Sequence, residues 1–328
     1  MIHLKLYFKK PSKEARYTMS EAAMKIDYAS NRGFDEVRLA QDRISSLTNH
    51  DHAKILNSGN SAILAAMAIF KGKIIIPDQG GWTGFKNIAE FLGLEAVEVP
   101  TELGIIDYDI LEESINKHKP KALFITSFAG YIAEQPVKEL FEVCEDGNVT
   151  LVEDASGAIG DKEKKLANGD HAHIIVASTG SPKIVNVGNG GFISTNDNNI
   201  FRKSKLILKT LKADPITCTG IAEEAKNAPE ILSKTIEACN LIKKEFQSVI
   251  HKDKRGISVA LKTDNPKKIG YELRKQFNVE GRSIVTVCPR YERVMIDAVC
   301  LEIKNLDPKC LENARINEII HIVKEVIE

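Results

Sequence analysis

The sequence predicts an α/β protein, with a large domain built on a mainly parallel sheet and a smaller α+β domain after it. Two observations favour this fold class. The chain of 328 residues is long enough for about two domains. Between residues 53 and 195, short apolar runs alternate with helical patterns, and the alternation stops after residue 212. We place the boundary near residue 215, with residues 1–215 in the large domain and 216–328 in the small one.

The predicted strands of the large domain are short, apolar and bounded by Gly, Pro, Asn or Asp, as is typical of strands buried in a parallel sheet. They are residues 53–57, 73–77, 95–100, 121–126, 149–153, 173–178 and 191–195. Apolar residues at helical spacing over 61–70, and a first-turn proline in 136–145, predict helices that connect them.

The pattern changes in the C-terminal third. Residues 214–230 hold two prolines, a glycine and few large apolar side chains, which predicts a connection with a broken helix. The elements predicted after it are a helix at 231–250, a strand at 257–261, a helix at 266–277, strands near 283–288 and 294–303, and a final helix at 308–327.

Charge and cysteine usage bound the partners and the compartment. The 45 basic and 45 acidic residues cancel, so the excess positive charge typical of nucleic-acid or membrane-surface binding is missing. The six cysteines form no CxxC pair, which favours reduced thiols in a cytoplasmic protein over a disulfide framework or a metal site. No apolar run reaches the ~20 residues of a membrane span, and the first residues are too polar for a secretory signal.

The motif NSGNSA at residues 57–62 follows a predicted strand and opens a predicted helix. Backbone N–H groups and the helix dipole favour an anion such as phosphate at this point. Gly59 allows close approach of the backbone, and the side chains of Ser58, Asn60 and Ser61 can donate hydrogen bonds. The same residue types are preferred helix caps, so a cap with nothing bound is the structural alternative.

Two charged residues stand near the predicted ends of strands. Asp154 ends the apolar run VTLVED, where open α/β sheets place their ligands, although it could simply cap the next turn. Lys183 lies between the strand 173–178 and a glycine-rich turn. In a buried site the lysine would lose solvation, which would lower its pKa and free the amine to attack a carbonyl group. The alternative is a surface lysine in a loop.

Two further residues fit a ligand with a phosphate and a flat ring. Ser178, five residues before Lys183, could reach the phosphate from the side opposite the NSGNSA motif. Trp82 is the only tryptophan and follows a predicted strand, where its ring could stack on another aromatic ring. A structural role in packing is the alternative for Trp82.

From about residue 40 to 200 the chain resembles the DegT/DnrJ/StrS family of sugar aminotransferases, a branch of the fold type I enzymes that depend on pyridoxal 5'-phosphate (PLP). The matching features keep the family's order along the chain. They are SGNSA, an aromatic residue after Pro77, FAGYIAEQP, VEDASGAIG, and S-x-x-x-x-K followed by a G-x-G-G turn. The resemblance implies an aspartate-aminotransferase-like fold and, because such sites are usually completed across a dimer interface, a homodimer.

The resemblance also implies the roles of individual residues. Lys183 would carry PLP as a Schiff base, Asp154 would pair with the pyridinium nitrogen, and Trp82 would stack on the ring. The residues implied to bind the phosphate are Ser58, Gly59, Asn60 and Ser178. The implied reaction moves an amino group from an amino acid donor, glutamate as the expected one, to a keto or aldehyde acceptor, with Lys183 as the general base.

The sequence departs from the family at several points. Gly157 stands where the family has Gln or His, and Asn60 replaces the threonine of its phosphate loop. The C-terminal third lacks a match to the family's substrate-binding segment, so the resemblance does not predict a sugar-nucleotide substrate. The candidates there for binding a substrate carboxylate are Arg282, Arg290 and Arg293, of which Arg290 is favoured.

Two other functions stay open at this point because one fold supports many reactions of the cofactor. A PLP-dependent lyase or cysteine desulfurase is the first, and a desulfurase would need an exposed cysteine such as Cys288 or Cys218. A non-catalytic protein that binds PLP is the second. The presence of both Lys183 and Asp154 disfavours it.

Overall fold

The computed structural model describes residues 5–25, 34–279 and 281–327, and these fold into strands and helices that alternate along much of the chain. The strands are β1 (His52–Leu56), β2 (Lys73–Pro77), β3 (Glu95–Val99), β4 (Thr101–Glu102), β5 (Ile105–Ile106), β6 (Ala122–Thr126), β7 (Phe128–Ala129), β8 (Ala133–Glu134), β9 (Thr150–Asp154), β10 (Ile174–Ser178), β11 (Gly191–Thr195), β12 (Val259–Lys262), β13 (Asn278–Val279), β14 (Arg282–Ser283), β15 (Val285–Cys288) and β16 (Ala298–Leu301).

The helices surround two sheets. They are α1 (Lys13–Lys25), α2 (Phe34–Thr48), α3 (Gly59–Met67), α4 (Thr83–Phe91), α5 (Tyr108–His118), α6 (Val137–Asp146), α7 (Asn198–Lys203), α8 (Lys205–Thr210), α9 (Pro215–Glu224), α10 (Ala228–Glu245), α11 (Pro266–Gln276) and α12 (Asn313–Ile327). Single 3₁₀ turns occupy Ala225–Asn227, Ile303–Asn305 and Pro308–Cys310. Among the described residues, no helix has the length and apolar character needed to cross a membrane.

The large sheet has seven strands in the order β1-β11-β10-β9-β6-β2-β3. Only β11 runs against its neighbours, pairing antiparallel with both β1 and β10, and the other pairs are parallel. These seven strands are the seven predicted from the sequence, and the α/β class with a mainly parallel sheet is confirmed.

The strand directions bring the chemically interesting residues to one edge of this sheet. Asp154 and Ser178 end the parallel strands β9 and β10, while Gly191 begins the reversed strand β11 opposite Ser178. Leu56, the last residue of β1, also pairs with Gly191 and leads into the start of α3. Segments distant in sequence therefore meet at this edge, which is where open α/β sheets bind ligands.

The inner strands of the large sheet are buried on both faces and are mostly apolar, whereas the edge strands β1 and β3 carry exposed Lys54, Glu95 and Glu98. Successive side chains nevertheless point to opposite faces. Leu123 and Ile125 of β6 join one apolar cluster, and Phe124 between them joins the other. Burial of such side chains stabilises the fold by roughly 1.5–3 kcal/mol each.

A smaller antiparallel sheet follows, with the order β12-β16-β15. Its apolar residues pack with α11, α12 and the second half of α10 into a separate core. Residues of the first half of α10, such as Leu232 and Ile236, belong instead to the core of the large sheet. The division into two domains near residue 215 stays a prediction.

The predicted connection at 214–230 is in fact largely helical. Helix α9 begins with Asp214 as its cap and Pro215 in its first turn, and it packs against α1 and α2. Cys218 and Ile221 are fully buried in the large core. The helical segment is interrupted at Ala225–Asn227, so the predicted broken helix is present, but the interpretation as a mere connection was wrong. Helix α9 packs with small residues, which give a weak hydrophobic pattern.

The N-terminal segment joins the two parts of the molecule. The Lys9 amide donates to the carbonyl of Asn305 at 2.8 Å, and the Asp307 amide donates to that of Tyr7 at 2.9 Å. The buried Lys9 ammonium donates to the carbonyl of Ile184 at 3.0 Å. Burial lowers the pKa of Lys9 to about 7. One short segment thus contacts both the small unit and the residue after Lys183.

Candidate active site

The first part of the site is the start of α3. Ser58 caps this helix, because its Oγ accepts a hydrogen bond from the Ser61 amide at 3.1 Å. Gly59 lies so close to β10 that a Cβ built on it would be 2.6 Å from the Cβ of Ser178. The Ser58 side chain therefore caps the helix. The backbone amides in the first turn of α3 lie next to Ser178 at one edge of the sheet.

Trp82 is held beside this helix start. Its indole Nε1–H donates to Oδ1 of Asn60 at 3.0 Å. Its ring also covers Gly84, where a Cβ would lie 2.2 Å from Nε1. These contacts fix the orientation of the half-buried ring. Asn60, expected to donate to a phosphate, uses its side-chain oxygen to orient Trp82.

Asp154 is buried at the end of β9 and is bound by its neighbour Ser156. The Ser156 hydroxyl and amide both donate to Oδ1 of Asp154, at 2.5 and 3.0 Å. The same hydroxyl accepts from the amide of Ser178 at 2.8 Å. Burial raises the pKa of Asp154, although the nearby Lys183 ammonium and the Ser156 bonds oppose this rise. Ser156 thus links the ends of β9 and β10 and orients the carboxylate.

Lys183 faces the side chain of Tyr131, with Nζ donating to the phenol oxygen at 2.7 Å. Burial lowers the pKa of Lys183, but the electrostatic effects of Tyr131 and Asp154 and the hydrogen bond to Tyr131 outweigh it, and the net pKa is raised. The prediction of a lowered pKa is therefore wrong for the free amine. Sequence reasoning considered the loss of water but not the opposite charges that replace it.

A cavity of about 250 Å³ is lined by Trp82 and Lys183 of these parts. Both the large sheet and the C-terminal unit line it. The lining residues are Gly80, Gly81, Trp82, Thr126, Phe128, Gly130, Tyr131, Lys183, Thr286, Arg290, Glu292, Arg293 and Lys304. The cavity brings Trp82, Lys183 and Arg290 together, whereas the other predicted site residues, Ser58, Gly59, Asn60, Asp154 and Ser178, do not line it. Asp154 is close enough to affect the pKa of Lys183.

The three candidate arginines differ in position. Arg290 lines the cavity with 59% of its side chain exposed and pairs with Glu292 at 3.0 Å. Arg293 also lines it, but it is 12% exposed and bound to Glu302 at 2.7 Å. Arg282 lies instead over the ring of Phe8, 4.5 Å from its centroid. The assignment of Arg290 to a substrate carboxylate stays a prediction.

Several residues around the cavity were missed from the sequence. Lys304 is buried in a 3₁₀ turn, with its ammonium 3.2 Å from the Glu302 carboxylate. Burial would raise the pKa of Glu302, but Lys304 and Arg293 lower it to about 2. Tyr131 belongs to the segment FAGYIAEQP that carried the family resemblance, and its place after Gly130 was the available signal.

Burial of the cysteines disfavours the exposed nucleophile that a desulfurase needs, although the hydrogen bond with Cys300 lowers the pKa of Cys288. All six are buried with free thiols, and Cys288 and Cys218 have 1% and 0% of their surface exposed. Burial raises the pKa of Cys218 to about 12, which disfavours its reactive thiolate form.

Comparison with known proteins identifies the family. Residues 12–213, more than half of the chain, match the model of the DegT/DnrJ/EryC1/StrS aminotransferase family. The chain belongs to this family. Residues 229–324 match a different model, the MJ1341 family C-terminal domain. Residues 214–228, which include α9, lie between the two matches.

Curated relatives match about half of the chain. GDP-perosamine synthase of Caulobacter vibrioides is 26% identical over 160 residues, which cover 48% of this chain and 43% of that protein. UDP-4-amino-4,6-dideoxy-N-acetyl-beta-L-altrosamine transaminase of Campylobacter jejuni is 28% identical over 162 residues, covering 48% and 42%. The matched region thus spans less than half the length of these two relatives.

Solved structures share the fold over nearly the whole chain. PseC of Helicobacter pylori, an aminotransferase involved in the biosynthesis of pseudoaminic acid, gives a TM-score of 0.80 at 19% identity, covering 98% of this chain and 99% of that one. An alanine–glyoxylate aminotransferase from Nostoc sp. gives 0.75 at 10% identity, covering 100% and 96%. The fold is therefore that of the fold type I aminotransferases.

PLP is the cofactor that this family implies, and the residues present fit it. Each part of PLP has a chemically matched group in the site. Lys183 offers an amine to the aldehyde, Asp154 a carboxylate to the ring nitrogen, and Trp82 an aromatic face to the ring. The start of α3 offers backbone amides to the phosphate, and Gly59 leaves no side chain between that helix start and Ser178.

Proposed function

We propose that this protein is a PLP-dependent aminotransferase, which moves an amino group from an amino acid donor to a keto or aldehyde acceptor. The observation that carries the proposal is the position of Lys183 on the cavity, hydrogen-bonded to Tyr131 and close to the buried Asp154. A lysine amine and a carboxylate in one site are what the cofactor needs. PLP, when bound, supplies an electrophilic carbon and a ring that accepts electrons.

The residues of the chain have separate roles in this proposal. Asp154, oriented by Ser156, keeps a proton on the ring nitrogen. Ser58, Gly59, Asn60 and Ser178 surround the phosphate, Gly59 and Asn60 through backbone amides, and Trp82 covers the ring. Lys183 would hold the cofactor through its amine and, as a free amine, would be the general base that moves a proton from the substrate α-carbon to the cofactor.

The C-terminal unit is proposed to select the substrates. Arg290 is available for a substrate carboxylate, because its exposed guanidinium pairs only with the partly exposed Glu292. Arg293 is already bound to the buried Glu302. We therefore assign the carboxylate of the amino donor to Arg290 and a supporting role to Arg293.

We also propose that the protein acts as a homodimer in the cytoplasm. The family resemblance supports the dimer, since sites of this fold are usually completed across an interface between subunits. Six cysteines without a disulfide support a reducing compartment. Small molecules rather than nucleic acid are the expected partners, in line with the zero net charge.

The test is an absorption spectrum of the purified protein with PLP, compared with Lys183→Ala. The wild type should show a visible band that borohydride converts into a permanent link, and the variant should show neither. Lys162→Ala is a suitable control, because Lys162 lies in a loop away from the cavity and should leave the band intact.

Amino acids would then be screened for loss of the visible band. A donor that removes the band, restored by adding a keto acid, supports transamination. Binding of PLP without turnover of any amino acid would support the non-catalytic alternative. Absence of the band in the wild type would contradict the proposal at its first step.

A further inference from the structure

Tyr131 has an unusual backbone conformation next to the proposed site. It adopts a left-handed conformation with a φ of 65°, directly after Gly130 at 54°. Its carbonyl accepts hydrogen bonds from the amides of both Ile257 and Ser258, each at 2.9 Å. A non-glycine residue keeps this conformation only where its surroundings hold it, and such residues are concentrated at functional sites. The backbone thus fixes where the Tyr131 ring points.

The ring of Tyr131 packs over Gly157. A Cβ built on Gly157 would lie 3.2 Å from Cδ1 and 3.3 Å from Cε1 of the tyrosine. Gly157 is three residues after Asp154, at the position where the related family carries Gln or His. The tyrosine ring therefore lies beside Gly157, which has no polar side chain. The Tyr131 hydroxyl, from a different segment of the chain, is the polar group near the site.

The hydroxyl of Tyr131 lies among positive charges. It accepts a hydrogen bond from Lys183 Nζ at 2.7 Å. The charged groups of Lys183, Arg293 and Lys304 lie 5.0, 4.9 and 4.7 Å from the ring centroid. Glu302 neutralises part of the charge of the last two, with ion pairs of 2.7 and 3.2 Å.

These charges act on the proton of the phenol. Burial opposes its ionisation, and the Asp154 carboxylate adds to that effect. The Lys183 and Lys304 ammonium groups act in the opposite direction and outweigh both, so that the pKa of Tyr131 is lowered. Both shifts favour the pair of ammonium and phenolate, with the shared proton on Lys183 and the Tyr131 oxygen as its acceptor.

We propose that Tyr131 is a catalytic residue that exchanges a proton with Lys183 and orients its amine for proton transfer at the substrate. The Lys183 ammonium gives one proton to the Tyr131 phenolate, which leaves a neutral amine and a neutral phenol. The amine lone pair then takes the proton from the substrate carbon, and no oxidant or reductant is needed. This role rests on the proposed function, but the exchange between the two side chains exists without cofactor.

The test compares Tyr131→Phe with Tyr291→Phe. The control removes a phenol near the same cavity, whose hydroxyl donates to the Pro77 carbonyl instead. In the cofactor-free protein, the pH dependence of Lys183 acylation, followed by mass spectrometry, reports when its amine loses its proton. Tyr131→Phe removes a group that raises the pKa of Lys183, so the midpoint should fall to lower pH. The control should leave it unchanged.

A second readout uses the protein with PLP. Tyr131→Phe should still form the borohydride-trapped link, but the rate of amino transfer should fall about 10²-fold, the usual contribution of a positioned proton-transfer group. A midpoint that does not move in Tyr131→Phe would overturn the proposal. Failure of the wild type to link PLP would contradict the proposed function alone, since the acylation midpoint does not depend on the cofactor.

The reciprocal variant keeps the proposal testable if Tyr131→Phe does not fold. In Lys183→Met the phenol of Tyr131 loses both its hydrogen-bond donor and a nearby positive charge. Its ionisation, followed in both proteins by the tyrosine resonance in carbon NMR, should then move to higher pH in Lys183→Met than in the wild type. An unchanged midpoint would show that the two side chains do not share a proton.

Discussion

The large sheet and the C-terminal unit contribute to the same cavity in different ways. Thr126 lines the cavity from the end of β6, and Asp154 and Ser178 end the neighbouring strands β9 and β10, so the backbone topology fixes the positions of all three. Arg293 and Lys304 of the C-terminal unit instead reach the cavity from a loop and a 3₁₀ turn, held by ion pairs with Glu302. The family match ends at residue 213, before this second group begins. Strand topology therefore positions the residues on the side where the cofactor is proposed to bind. Ion pairs between long charged side chains position the residues on the side where substrate selection is proposed.

The largest predicted effect breaks the charge cluster of the C-terminal unit. Glu302→Gln leaves Arg293 and Lys304 without their buried counter-charge, which should lower the free energy of unfolding by about 3–5 kcal/mol at neutral pH. Urea unfolding measures this change. Glu245→Gln, at an exposed ion pair with Lys324, is the matched control and should have no measurable effect.

The effect of Glu302→Gln should also depend on pH. The folded protein holds the pKa of Glu302 at about 2, below its usual value of 4.5. A lowered carboxyl pKa contributes stability that is fully present above 4.5 and is lost as the pH falls toward 2. The difference between variant and wild type should therefore shrink over this interval. A difference that stays constant would mean that Glu302 acts through packing rather than charge.

The next effect tests the large-sheet side. Asp154→Asn keeps the shape of the side chain but removes the charge that would hold a proton on the ring nitrogen. The rate of the amino-donor half-reaction should fall about 10²–10³-fold, as for other preorganised electrostatic groups. Rapid-mixing absorbance measures this rate. Asp107→Asn makes the same chemical change at the exposed cap of α5 and should leave the rate unaltered.

Arg290→Gln tests whether Arg290 binds the carboxylate of the amino donor. Loss of a charge-assisted hydrogen bond of about 1.5–3 kcal/mol should raise the KM for the amino donor by about 10- to 150-fold. The exposed position of Arg290 means that stability should change by less than about 0.5 kcal/mol. Steady-state kinetics and thermal unfolding check the two expectations. An unchanged KM would indicate that Arg293 or Lys304, rather than Arg290, binds the carboxylate.

The smallest effect concerns the orientation of Trp82. Trp82→Phe keeps an aromatic face but loses the hydrogen bond to Asn60, so PLP binding should weaken by about 2- to 10-fold for a net bond of about 0.5–1.5 kcal/mol. Trp82→Leu also removes the aromatic face and should weaken binding further. Equilibrium titration with PLP compares the two, and equal losses would indicate that the face makes no contribution.

The sequence predicted the large sheet well because its strands are short apolar runs between turn residues. The predicted bounds of β2 and β11 agree with the structure at both ends. Helix α9 was missed because its buried face uses small residues, such as Gly220, which lies against the side chain of Met19. Its cap, Asp214, and first-turn Pro215 were signals that could have shown it.

The site was predicted in part for a related reason. Asp154 ends β9 and Lys183 follows β10 by five residues, both within motifs, so local sequence was enough to single them out. The partner of Lys183, Tyr131, is 52 positions away and meets it only in the folded chain. The raised pKa of Lys183 depends on that meeting and on the charge of Asp154, which is why reasoning from burial alone gave the opposite direction.

The N-terminal segment has a mechanical consequence for the cavity. Lys9 bonds the Asn305 carbonyl through its amide and the Ile184 carbonyl through its ammonium. Asn305 follows Lys304 on one wall, and Ile184 follows Lys183 on the other, so this single residue ties the two walls together. A displacement of the C-terminal unit must either break one of these bonds or pull on the peptide next to Lys183. The N-terminal segment therefore couples the two walls, so that opening of the cavity would displace the backbone next to the Lys183 amine.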